Sequence, residues 1–155
     1  MNRIFSTILL ATGLMVATAC SKKDDNMTPT PAVVLPAVSG TFTGAQEVPA
    51  VTSSATGTYT ATFDKASREL RYTVTFTGIT PTVGHLHFGA PGMKGDVFQP
   101  FPFNNAASNG FDSPITGTTT LTQAQAAALL ANGVYANLHS APNPGGEIRA
   151  DLTVK

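Results

Sequence analysis

The chain has one cysteine in 155 residues, no tryptophan, and only 12% charged side chains, nine basic and nine acidic. Each scarcity excludes something. A lone thiol has no disulfide partner, so Cys20 makes no internal cross-link. No basic patch is present: Lys65, Arg68 and Arg71 gather around one expected turn and nothing joins them, which argues against nucleic acid as a partner. The apolar run from Ile4 to Val16 is too short to cross a bilayer of roughly 30 Å as a permanent helix. Helical patterns do not alternate with strand patterns, which excludes the parallel α/β folds. Ser53-Ser54 and Ser140 stand outside any nucleophile elbow or catalytic triad motif.

What is there begins with an export signal. Arg3 supplies the positive start, Ile4 to Val16 the apolar stretch, and Ala17-Thr18-Ala19 the small residues that a signal peptidase needs. Residues 1–19 therefore read as a signal peptide. Cys20 follows at once and resembles the lipobox cysteine of bacterial lipoproteins, acylated as the signal is removed. The usual Leu three residues earlier is Ala17 here, with Val16 just before it. The alternative is a secreted protein cut after Ala19. Lys23-Asp24-Asp25 is similar to the signal that sends Bacteroidota lipoproteins to the outer face of the outer membrane; a solvated charged spacer is the other reading. The resemblance implies a membrane partner, reached through lipid on Cys20, at the outer membrane surface or on its periplasmic side. Residues 20–39 then form a Pro-, Thr- and Ala-rich linker that lacks the apolar content to make a core. Loss of Arg3 with the signal takes the formal charge from zero to minus one.

Residues 40–155, about 115 positions, suit one small domain. Apolar and polar residues alternate along much of it, the pattern of half-buried strands. Tyr59, Ala61 and Phe63 share one face of Thr58–Phe63, and Leu70, Tyr72, Val74 and Phe76 one face of Leu70–Phe76. Further strands are expected at Thr41–Gln46, Val83–Phe88, Val97–Phe101, Ile115–Leu121, Val134–His139 and Glu147–Val154. One helix, Gln123–Ala131, is capped by Thr122 with Gln125 in the capping-box position, and Asn132-Gly133 ends it. Seven or eight short strands and one short helix predict an all-β, Greek-key antiparallel β-sandwich or flattened barrel.

These residues also carry a family resemblance. Phe42-Thr43-Gly44-Ala45-Gln46-Glu47-Val48-Pro49 followed by Ala55-Thr56-Gly57 resembles the opening of a CHRD domain, the module named after chordin. His85-Leu86-His87-Phe88-Gly89-Ala90 with Gly95 resembles its central His-x-His-x-Gly segment. Tyr135-Ala136-Asn137-Leu138-His139 and Pro144-Gly145-Gly146-Glu147-Ile148-Arg149 resemble its closing motifs, with Ala150 where a glycine is usual. The resemblance implies a β-sandwich and says little about activity.

All three histidines of the domain fall in those segments. Alternation puts Leu86 and Phe88 on one side of their strand and His85 and His87 on the other. Likewise Val134, Ala136 and Leu138 oppose Tyr135, Asn137 and His139. Two imidazoles at i and i+2 are roughly 7 Å apart at Cα and can reach one ion. With His139 from a neighbouring strand they make a three-nitrogen set suited to copper or zinc, with a position left for water or substrate. The set is also similar to the copper site of the copper–zinc superoxide dismutases, and Arg149 to an arginine near that copper. No histidine between Phe88 and Leu138 supplies bridging or zinc ligands, and the internal disulfide of that family is missing. Dismutase chemistry is therefore the remotest reading. Glu147, Arg149 or Asp151 is placed to orient an imidazole from behind. The competing reading has the histidines as polar residues on a loop-covered face, bonded to backbone and Glu147.

Glu47 and Glu147 resemble turn residues bonded to backbone better than an acid/base pair. Phe98, Phe101 and Phe103 with Pro100 and Pro102 form an apolar loop expected to pack over the sandwich edge. Three functions stay open: a surface-displayed binding or scaffold module for a protein or glycan; a copper- or zinc-binding protein; and a redox enzyme. No catalytic residue is assigned.

Overall fold

The structure, a computed structural model, describes residues 35–107 and 110–155. The signal peptide, Cys20 and most of the linker read from the sequence lie outside the described residues.

Among the described residues nine strands make two antiparallel sheets, and one α-helix connects strands of the two. The strands are β1 (Ala37–Phe42), β2 (Thr56–Asp64), β3 (Glu69–Thr77), β4 (Pro81–Phe88), β5 (Val97–Pro100), β6 (Ile115–Thr120), β7 (Val134–Ser140), β8 (Ile148–Asp151) and β9 (Thr153–Val154). One sheet has the order β6-β3-β2-β1-β9 and the other β5-β4-β7-β8. The sheets do not close into a barrel, so the sandwich form of the expected fold is the one adopted.

Alternation explains the core. Tyr59, Phe63, Leu70, Tyr72 and Val74 are buried from the first sheet, and Leu86, Val134, Ala136, Leu138 and Ile148 from the second. Each fully buried aliphatic or aromatic side chain contributes roughly 1.5–3 kcal/mol relative to exposure. The intervening threonines of β2 and β3 face solvent. Phe101 enters the core beside Tyr72, at 5.3 Å between ring centroids. Phe98 packs on Phe88, whereas Phe103 remains mostly exposed. The apolar loop is thus largely packing.

Helix α1 (Gln123–Leu130) starts with the expected capping box: Gln125 N–H donates to Thr122 Oγ1 and Thr122 N–H to Gln125 Oε1. It buries Ala126 and Leu129 against the sandwich. Asn132, at φ 55°, turns the chain out of the helix, and its side chain accepts from Val154 N–H. Among the described residues no helix is long and apolar enough to cross a membrane.

Three boundaries differ from expectation. The first strand begins at Ala37, inside the stretch read as linker, because Ala37–Phe42 pairs with β2 on one side and β9 on the other. Gly44–Gln46, expected as strand, is a 3₁₀ turn. The expected last strand divides at Leu152, whose N–H donates to Val134, so β8 and β9 belong to different sheets. That division raises the strand number to nine.

Candidate metal centre

Strand β4 carries His85 and His87 on one face, with Leu86 between them turned into the core. Strand β7 lies beside it with Asn137 opposite His85, Tyr135 opposite His87 and His139 opposite Val83. His139 is therefore the diagonal neighbour of His85. The ring centroids of His85 lie 5.5 Å from His87 and 5.2 Å from His139. One ring nitrogen from each histidine falls within 4.8 Å of the others. The three residues expected to meet do meet.

Alternation alone would leave this face open to water; here loops cover it. Tyr135, Asn137 and Arg149, all on the side away from the core, are buried. The loop after β4 folds back so that Gly95 C=O lies 3.1 Å from His87 Nδ1. Only glycine fits there, because a Cβ would collide with the Phe88 carbonyl. The turn between β7 and β8 brings Pro144 C=O to 2.9 Å from His139 Nδ1. The second nitrogens, Nε2 of His87 and Nε2 of His139, converge on Asn137 Oδ1 at 3.0 and 3.1 Å. His85 Nδ1 is buried without a partner.

Burial sets the protonation. Desolvation, then repulsion from His139 and His87, holds His85 down to about 4. Desolvation also lowers His87, against the raising effect of its bonds to Gly95 and Asn137. Both are neutral at pH 7, the form that ligates metal without losing a proton.

The charged residues expected to orient the imidazoles do other work. Glu147 accepts from Ser53 Oγ at 2.7 Å and from Ser140 Oγ, and these hydroxyls hold its carboxyl low, Ser140 foremost. It ties the segment after β1 to the β7–β8 turn and bonds no imidazole, which corrects its expected place behind a histidine. Arg149, 1% exposed, donates to Met93 C=O at 2.8 Å, Ala90 C=O at 3.1 Å and Asp151 at 2.7–2.8 Å. Its guanidinium lies 3.6 Å from the centre of the Tyr135 ring, which in turn stacks on His87 at 4.6 Å. Arg149 thus pins the covering loop and reaches the histidines only through Tyr135. Asp151 is taken up by Arg149.

Two neighbours were named in the sequence but not assigned to the site. Asn137 links two histidines; alternation had placed it on their face, and its spacing two before His139 was the available signal. Glu47 is 8% exposed and its Oε1 has no partner. Burial raises its carboxyl, with Arg149 and an Asn137 hydrogen bond pulling the other way. A cleft of about 160 Å³ holds Glu47, His87, Tyr135, Asn137, His139 and Arg149 together. Nothing local to Glu47 announced this, because it reaches the cleft only when β1 and the 3₁₀ turn pack beside β8.

Fold and site together define a two-sheet β-sandwich with a loop-covered three-histidine cluster on the outer face of the smaller sheet. Residues 38–152, about three quarters of the chain, match the CHRD domain, and the chain belongs to that family. No curated protein and no solved structure matches it.

Proposed function

We propose that this CHRD domain is a metal-binding module that takes zinc or copper on His85, His87 and His139, carried outside the cytoplasm on a lipid-anchored chain. The observation behind the metal site is the convergence of three imidazoles, one ring nitrogen of each within 4.8 Å of the others, two with Nδ1 against a fixed carbonyl. Such backing fixes ring orientation and leaves Nε2 as the ligand atom. Nitrogens bound to one tetrahedral zinc stand about 3.4 Å apart, so the rings need close by at most about 1.4 Å from that limit. Imidazole suits zinc and copper among the transition metals.

The test is metal uptake by the purified full-length chain. One equivalent of zinc or copper is expected, lost in His85→Ala and in His139→Ala. Undiminished uptake in both variants removes the three-histidine site. The anchor is tested separately: the wild-type chain is expected in the membrane fraction, and Cys20→Ser in the soluble one.

A second reading, a binding or scaffold module for a protein or glycan partner, is supported by the outer face of the larger sheet. There Thr116, Thr73, Thr60, Ser39 and Thr153 form one row across all five strands, with no charged side chain in it. That reading stands alone if the chain takes up neither metal. Dismutase activity gains no support from the site, and copper-loaded protein is expected to do no better than buffer in a superoxide assay.

A further inference from the structure

The hydrogen bonds of His87 and His139 do not balance as drawn between neutral groups. A neutral imidazole has one N–H and one lone pair. Each of these rings faces two oxygens: His87 has Gly95 O at 3.1 Å and Asn137 Oδ1 at 3.0 Å, and His139 has Pro144 O at 2.9 Å and the same Oδ1 at 3.1 Å. A carbonyl can only accept. Whichever tautomer is chosen, one lone pair on each ring confronts another. Double protonation would remove the conflict only by placing two cations side by side on a covered face, where His87 is buried.

Turning the Asn137 amide over would offer N–H groups to both rings, but its nitrogen is already engaged. It donates to Glu47, a buried carboxyl whose other oxygen has no partner. The amide oxygen is therefore held toward the histidines from behind by a carboxylate. Two Nε2 lone pairs and one amide oxygen then converge with no proton between them, beside His85, one of whose ring nitrogens lies within 4.8 Å of a ring nitrogen of each other histidine. That is an acceptor-only cluster, and a cation satisfies it.

The separations agree. Ligand atoms about 2.0–2.1 Å from one ion in tetrahedral array lie about 3.4 Å from each other, and the two oxygen–nitrogen distances here are 3.0 and 3.1 Å. Resting on the metal reading above, we propose that Asn137 Oδ1 is the fourth ligand, and that Glu47 is the positioning residue that aims it. The site is then closed, three nitrogens and one amide oxygen, and not the open three-histidine site that leaves room for water. An amide oxygen is a hard donor, so the site favours zinc(II) or copper(II) over copper(I).

The experiment uses the full-length chain loaded with cobalt(II) as a spectroscopic probe and titrated with azide, alongside zinc affinities from chelator competition. Wild-type cobalt protein is expected to show a four-coordinate spectrum that azide leaves unchanged. Asn137→Ala is expected to bind zinc at least tenfold more weakly, and its cobalt spectrum to respond to azide because water takes the vacated position. Asn137→Asp, which keeps an oxygen there, restores both. Glu47→Gln is expected to weaken zinc binding about tenfold, in the range typical of groups behind a ligand. Circular dichroism and melting of each variant establish that it is folded. An azide response in the wild type, which needs no variant to fold, overturns the closed site. So does zinc affinity within twofold of wild type in folded Asn137→Ala. If the wild type binds zinc through the histidines and Asn137 proves indifferent, only this inference fails; if the histidine variants bind as well as wild type, both fail.

Discussion

Arg149→Met tests whether the cover over the histidines is held from beneath. The guanidinium is 1% exposed and makes contacts of 2.8 Å to Met93 C=O, 3.1 Å to Ala90 C=O and 2.7–2.8 Å to Asp151. Methionine keeps much of the apolar stem and the packing on Tyr135 but removes every donor. Removing one partner of a buried ion pair costs roughly 3–5 kcal/mol, mostly because the remaining groups stay buried and unmatched. Asp151 retains 18% exposure and can rehydrate, which puts the loss at the lower end, about 3 kcal/mol. Loss of the cation–π contact with Tyr135 adds a further part, about 0.5–2 kcal/mol in other proteins. For a domain of this size about 3 kcal/mol corresponds to a fall of roughly 12 °C in melting temperature. Urea denaturation of wild type and variant, without metal, measures it. A loss below about 1 kcal/mol would refute the pin, since a surface ion pair alone could account for it.

Three further outcomes are expected. Tyr59→Phe should stabilise the domain by about 1 kcal/mol, read from urea midpoints, because Tyr59 is 0% exposed and its hydroxyl has no partner. Thr122→Ala should cost about 1 kcal/mol by the same measurement, as it removes the side chain that caps α1. Stability in the presence of a chelator should fall as pH drops from 6.5 toward 4. His85 is held at about 4 when folded against an ordinary 6.5, so the unfolded chain takes up protons first and stability is full only above that range. His87 shifts in the same direction, while Glu47, raised in the fold, gives an opposite and acid-side contribution. A His85→Gln variant should therefore show a flatter profile between pH 6.5 and 4, and an identical slope would contradict the assignment.

Strand pattern was legible wherever one face is buried by the sandwich itself, as in β2 and β3, where every second residue from Tyr59 and from Leu70 faces the core. The helix was legible because its start signal is local, a Thr and a Gln three positions apart. The misplaced boundaries all depend on partners distant in sequence. Ala37 becomes strand by pairing with Thr62. Gly44 is fixed in its turn by the close approach of Val51, where a Cβ would collide with the backbone. The break at Leu152 comes from a bond to Val134. Propensity carries no record of such pairings. The histidine cluster was legible because it needs only alternation and two adjacent strands, whereas Glu47 enters the cleft through packing between the ends of the domain.

The same distinction separates the residues that touch a metal from those that hold the site together. Glu147 and Arg149 lie near the histidines in sequence and were expected to face them, yet each acts one step further out. Arg149 fixes Ala90 and Met93, close along the chain to the Gly95 carbonyl that backs His87. Glu147, through Ser53 and Ser140, fixes the turn whose Pro144 carbonyl backs His139. Each histidine that is braced by a backbone carbonyl is thus braced by a loop, and each loop is held by a different charged side chain. Loosening either loop should weaken metal binding through one histidine while leaving the other ligands in register. Removing Arg149 and Glu147 together should then weaken it by about the product of the two separate effects, because the two braces share no partner. A combined effect no larger than either one alone would mean that the loops move as one body and that the cover, not its individual bonds, sets the geometry of the site.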